Sequence, residues 1–185
     1  MVVNLQKKYE FEIPEDEMER YVSMEEDKVI SKLEQDARPC VGCSEELDKL
    51  YEAKKYGMAV VSSSALKRVK ASIEKVDQAK YFPQDHIFSA ATSLPVPTTK
   101  PDPAIYLHAC RFIGKEPGEC VAVEDSKSGT LSAIRAGIPT IGYVGSYAGS
   151  EKPKEMTETL KELGVKVVMQ NWDEFPKRLE EVEKM

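Results

Sequence analysis

Three short stretches of this chain hold residue types that can do chemistry together. In VAVEDSKSG, Val121–Gly129, apolar residues run directly into two adjacent carboxylates, Glu124 and Asp125, then into Ser126, a lysine and a glycine. In MAVVSSS an apolar run ends on Ser62, Ser63 and Ser64, and in TTKPDPAIY a single lysine, Lys100, stands among prolines. Two neighbouring acids at the end of a buried strand repel each other and resist desolvation, so a compensating charge must lie close by. Hydroxyls that donate to phosphoryl oxygens, a lysine as a point charge, and carboxylates for a hard divalent ion make a phosphate-and-cation set. Mg2+ is the compensation such a pair calls for.

That set exists only if the fold brings the three stretches to one place. MAVVS, IFSAA, CVAVE, PTIGYV and VKVVM read as short buried strands. Between them lie helical patterns: ALKRVKASIEKV with Leu66, Val69, Ile73 and Val76 inward, AIYLHACRFIG opened by Asp102-Pro103, and SGTLSAIRAG closed by Gly137. A further helix around Lys154 to Leu163 and a terminal DEFPKRLEEVEKM helix complete the alternation. Strand and helix in turn argue for an α/β fold with a parallel sheet and helices on both faces. Ligands of such sheets sit beyond the carboxyl ends of the strands, which is where the serines, Lys100, Glu124 and Asp125 would gather. Ahead of Gly57 the chain is helical: Pro14 to Ala37 places Val22, Val29, Ile30, Leu33 and Ala37 on one face, and Ser44 is the expected N-cap of EELDKLYEAKKY.

Composition sets the outer limits. The chain has 185 residues, 41% hydrophobic and 31% charged, with a formal charge of -6, as expected of an ordinary globular protein with one core. Without a long basic run, nucleic acid is not an expected partner. No apolar stretch is long enough to cross a bilayer, and MVVNLQKKYEFEI lacks a signal peptide's apolar stretch, so no membrane partner and a cytoplasmic location are expected. Of the four cysteines, Cys40 and Cys43 have redox-pair or half-zinc-site spacing. Cys110 and Cys120 stand apart, and reduced thiols are the expectation for all four.

SSS after MAVV, KPDPAIYLHA, and VAVEDSKSGTLSAIRAGIPTIGYVG resemble the second, third and fourth motifs of the haloacid dehalogenase superfamily, in order, from about Gly57 onward. The likeness is closest to its sugar-phosphate phosphatase and phosphoglucomutase-like branch, whose members carry a helical cap. The resemblance implies a Rossmann-like core over residues 57–185 and a remnant helical cap over residues 1–56. It implies that Ser62 donates to a phosphoryl oxygen, with Ser63, Ser64 and Ser126 nearby, and that Lys100 neutralises the phosphate and steadies the nucleophile. Asp125, with Glu124 beside it, would reach Mg2+ directly or through water.

The family's first motif, two aspartates two residues apart, does not occur in this sequence; its earliest aspartate, Asp16, reads as part of a helix start. By the resemblance, those aspartates are the nucleophile and the general acid-base, carried on a first strand between the strands ending at Ser62 and Glu124. The expectation is therefore a sheet lacking its usual first strand, as in an N-terminally truncated chain, with two open edges. MVVNL is the one spare apolar segment that could fill the gap. The implied function is a Mg2+-dependent phosphatase of a small phosphorylated metabolite, weakly active or inactive in this chain, with Mg2+ held weakly. The alternative is a non-catalytic anion-binding or interaction protein whose missing strand comes from a second copy, as a homo-oligomer, or from a partner. A chain that is part of a longer protein is also compatible with these residues.

Overall fold

The computed structural model describes residues 13–185. The first helix, α1 (Glu15–Asp36), is followed by α2 (Cys43–Ala53), and then by strand and helix in alternation. These are β1 (Val60–Ser62), α3 (Leu66–Lys75), β2 (Ile87–Ser89), α4 (Ala104–Phe112), β3 (Ala122–Glu124) and α5 (Lys127–Arg135). The chain continues through β4 (Thr140–Tyr143), α6 (Glu151–Glu162), β5 (Val167–Met169) and α7 (Phe175–Glu183). Each of the five strands lies inside a stretch whose apolar run predicts it.

All strand pairing is parallel, but it falls into two sheets. β1 pairs with β2, Val61 opposite Phe88; β3 pairs with β4 and β4 with β5, Val123 opposite Ile141 and Ile141 opposite Val167. Among the described residues no strand joins β1 to β3. This is the interruption expected between the strands ending at Ser62 and Glu124. The MVVNL segment considered for that gap lies outside the described residues.

The core follows from strand alternation. Ile141, Tyr143, Val167 and Met169 point to one face and pack on Phe175 and Val182 of α7. Gly142 faces the other side, where an added Cβ would come within 2.9 Å of Leu160 in α6, so that helix can lie flat on the strand. Ile141 and Leu160 are wholly buried, and each contributes about 1.5–3 kcal/mol by leaving water. A second apolar cluster, Tyr106, Cys110, Ala122, Ala133 and Ile138, ties α4 to β3 and α5, with Val61 of β1 packed against it. α4 is thus the apolar bridge between the two sheets.

Two local expectations need correction. Ser44 does not cap α2: Gly42, at φ 80°, occupies that position, and the Cys43 N–H bonds the Cys40 carbonyl at 3.0 Å, so the turn feeds the helix one residue earlier. Val22 is not inward but 50% exposed. α1 packs along α3 with Val29, Ile30 and Leu33 half-buried, and the long ion pairs Glu25–Arg68 (3.8 Å) and Glu26–Lys67 (3.9 Å) also join the two helices.

Candidate functional site

The carboxyl ends of β1 and β3 face each other across the interruption, and one side chain spans it. Successive carbonyls of a strand point to opposite sides. The Ser62 carbonyl accepts from the Ala90 N–H at 2.8 Å, toward β2, so the Val61 carbonyl points the other way. Lys100 Nζ donates to it at 2.9 Å. The same ammonium donates to Glu124 Oε1, the last residue of β3, and makes a longer contact of 3.4 Å with the Tyr106 hydroxyl. Lys100 is therefore a buried cross-link between the two sheets, and all three of its N–H bonds have acceptors.

Glu124 is compensated within the protein. Its Oε1 takes both the Lys100 ammonium and the Tyr106 hydroxyl, and the Lys100 and Glu124 side chains are each only 9% exposed. Its other oxygen lies against the first turn of α5, where a Cβ on Gly129 would come within 1.9 Å of Oε2. Glycine at 129 thus lets a carboxylate rest on a helix start, where the peptide dipoles favour negative charge. Burial, then the neighbouring Glu124 charge, pushes the Tyr106 hydroxyl well above its ordinary value of 10.0, so it stays a proton donor. Within the protein the Lys100 ammonium balances the Glu124 charge and the Tyr106 hydroxyl adds a hydrogen bond, so one of the two adjacent acids has a protein counter-charge of its own. Asp125 turns outward, is exposed, and accepts from the Ser146 hydroxyl at 3.3 Å, while Tyr147 donates to its main-chain carbonyl at 2.9 Å.

The loop that carries Lys100 is pinned from three sides. The Lys100 N–H donates to Ser63 Oγ at 3.1 Å, and the Thr98 N–H to the Ala90 carbonyl at 2.9 Å. From α5, Ser132 Oγ donates to the Asp102 carbonyl at 2.7 Å, and Arg135 to the Pro101 carbonyl at 3.1 Å. The Lys100–Pro101 peptide is cis. Asp102 opens α4 as expected, its Oδ1 accepting from the Ala104 N–H at 2.8 Å, and Ser126 caps α5 by accepting from Gly129 N–H at 3.0 Å.

Lys100, Ser63 and Glu124 thus share one rim, with Asp125 next in the chain. Ser62 Oγ accepts from the Ser64 N–H at 3.1 Å in the turn after β1, and Ser64 is exposed with its carbonyl bonded by Ser89 Oγ at 2.7 Å. Tyr106, Ser132, Arg135, Ser146 and Tyr147 were not singled out from sequence. Tyr106 sits in an apolar helical face with Ile105 and Ala109, and nothing in that pattern marks its hydroxyl for a carboxylate 18 residues on.

For a divalent cation the donor set is thin. Among the described residues no cluster of three or more His, Cys, Asp or Glu side chains could hold a metal. Mg2+ is commonly bound through one or two carboxylates with water and substrate oxygens filling the rest. Asp125 fits that pattern; Glu124 fits it poorly, because Oε1 is already committed.

Comparison with known proteins points in one direction. A family model described as haloacid dehalogenase-like hydrolase matches residues 3–143. A phosphorylated carbohydrates phosphatase of Thermotoga maritima is 32% identical over 124 residues, 60% of this chain and 55% of that protein. A 6-phosphogluconate phosphatase of Escherichia coli is 35% identical over 81 residues, 44% of this chain and 35% of that protein. The chain thus spans little more than half the length of the first of these and about a third of the second. A crystal structure of a family IA, variant 3 hydrolase from Entamoeba histolytica superposes with a TM-score of 0.76 at 21% identity, over 97% of this chain and 77% of that one, which is a likeness of fold.

Proposed function

The chain belongs to the haloacid dehalogenase-like hydrolase family, and on that premise we propose that its rim receives the phosphoryl group of a small phosphorylated metabolite, a sugar phosphate above all. The observation that carries this reading is the convergence of Lys100, Ser63 and Glu124 at the facing ends of β1 and β3. Two similar proteins are phosphatases of phosphorylated carbohydrate and of 6-phosphogluconate, which favours the same substrate class. Residues 1–56, as a remnant cap, would bear on which ester enters.

The division of labour at the rim differs from what the motifs alone imply. Lys100 first holds the sheets together; a phosphoryl oxygen takes its weakest contact, the 3.4 Å one to Tyr106, without breaking the other two. Ser62 and Ser64 offer hydroxyls in the turn beside it. Asp125 would be the residue to hold Mg2+, weakly, and the ion would supply charge neutralisation for the phosphate. The sequence has no Asp-x-Asp pair, so binding is expected to exceed turnover. A serine with no base beside it does not replace an attacking carboxylate.

Calorimetric titration with orthophosphate, with and without Mg2+, tests the reading alongside phosphate release from a panel of sugar phosphates. Ser62→Ala should weaken phosphate binding and Asp125→Asn should remove its Mg2+-dependent part, with little or no turnover throughout. Phosphate binding indifferent to both substitutions and to Mg2+ would move the ligand off this rim. Fast turnover would show that some other group attacks. Lys100→Ala is a poorer probe, because it also cuts the bridge between the sheets.

A further inference from the structure

Cys110 and Cys120 look unrelated in the sequence, ten residues apart, yet the fold places their sulfurs 3.9 Å from each other. Cys110 lies in the last turn of α4 and is buried; Cys120 lies two residues before β3 and is half-buried. The Cys110 thiol points its S–H at the Cys120 sulfur, and the Cys120 thiol points toward the Glu116 carbonyl at 3.6 Å. Both are free thiols. We propose that Cys110 and Cys120 are a thiol-modification site that closes reversibly into a disulfide, linking the helix that bears Tyr106 to the strand that ends in Glu124.

A disulfide sets its sulfurs about 2.05 Å apart, so the pair must approach by roughly 2 Å. Cys120 stands outside the strand, in the connection that runs through Gly114 and the Pro117–Glu119 turn, and is the less buried of the two. Cys110 is held by its packing among Tyr106, Ala122 and Ile138. The two sulfurs differ in exposure: Cys120 is half-buried and Cys110 buried. Burial, then the adjacent Cys120, pushes the Cys110 thiol up to about 11, which makes it the natural second partner. An open groove lined by Leu107, Cys110, Arg111, Lys115 and Glu116 reaches Cys110 from solvent, with the half-buried Cys120 sulfur 3.9 Å away, and the oxidant is a low-molecular-weight disulfide, oxidised glutathione.

With that oxidant the exchange balances. The Cys120 thiolate attacks one sulfur of oxidised glutathione; the S–S bond breaks and one glutathione thiolate leaves, taking a proton from solvent. Cys110, once it has lost its proton to solvent, attacks the Cys120 sulfur and expels the second glutathione. The two protein thiols lose two electrons, and one small disulfide becomes two small thiols.

The test uses the full chain with Cys40→Ser and Cys43→Ser, which leaves only this pair. After equilibration with oxidised glutathione, maleimide labelling followed by intact mass should fall from both remaining thiols to neither, with a loss of two hydrogens and no adduct, and dithiothreitol should restore both. Adding Cys110→Ser should instead leave a stable glutathione adduct on Cys120. Two thiols that still label after excess oxidant, or an adduct on Cys120 that never resolves while Cys110 is present, would overturn the proposal.

Discussion

At the scale of single residues, Tyr106 decides how Glu124 behaves. A buried carboxylate with one counter-charge is poorly satisfied, and the Tyr106 hydroxyl supplies the second hydrogen bond to the oxygen that Lys100 also holds. Tyr106→Phe removes a hydrogen bond to a charged group and should cost about 1.5–3 kcal/mol, read as a lower urea midpoint with unchanged slope. Lys100→Met removes the counter-charge outright and should cost about 3–5 kcal/mol, because it leaves a buried carboxylate unpaired. The double variant Lys100→Met/Glu124→Gln should then be more stable than Lys100→Met alone. A strictly additive cycle would mean that the two side chains do not share this environment. The acid pair, the serines and Lys100 are legible as a set in the sequence because residue type and strand end coincide. Tyr106 is not legible, since its partner is fixed by how α4 lies across β3, a relation that no periodicity encodes.

At the scale of elements, the strands and helices were readable because each alternates apolar run with amphipathic pattern. Ser44 does not cap and Val22 does not point inward, because a left-handed Gly42 takes the cap position and α1 rests on α3 along a side that holds Val29, Ile30 and Leu33 but not Val22. α5 depends on one residue more than its sequence suggests. Gly129 leaves room for the Glu124 carboxylate against the helix start, and a methyl there would meet both carboxylate oxygens and the carbon between them at 1.9–2.6 Å. Gly129→Ala should therefore displace Glu124 and destabilise the protein by roughly 1–3 kcal/mol, although alanine is the better helix former. A neutral or stabilising Gly129→Ala would show that the carboxylate does not occupy that space. β1 and β3 carry a second expectation. Val61 and Val123 turn their backbone groups toward the interruption, while Ser62 and Ala122 are engaged by β2 and β4. In hydrogen exchange the Val61 and Val123 amides should lose protection well before those of β4. Equal protection would mean that another segment pairs with these edges.

At the scale of the whole molecule, burial has collected acids that hold their protons to unusually high pH. The Cys43 thiol is pushed up to about 11 from 9.0, first by burial and then by Cys40, and Cys110 reaches about 11 in the same way beside Cys120. The Tyr143 hydroxyl is pushed up to about 12 from 10.0, chiefly by burial, and Tyr106 lies well above 10.0. In the unfolded chain these groups ionise near their ordinary values, so between the two values the folded state binds more protons than the unfolded state. Stability must fall with rising pH across that window. Their contribution is intact below about pH 9 and is lost progressively through pH 11 to 12. Urea unfolding from about pH 8 to pH 11 should show a level midpoint giving way to a steep decline, shallower in Cys43→Ser and in Tyr106→Phe once each is compared with its own value at pH 8. The decline should also be blunted when the Cys110–Cys120 disulfide is closed, since neither sulfur then titrates. A midpoint that stayed level to pH 11 would mean that these side chains reach solvent and that the two sheets are less tightly joined through α4 than their packing implies.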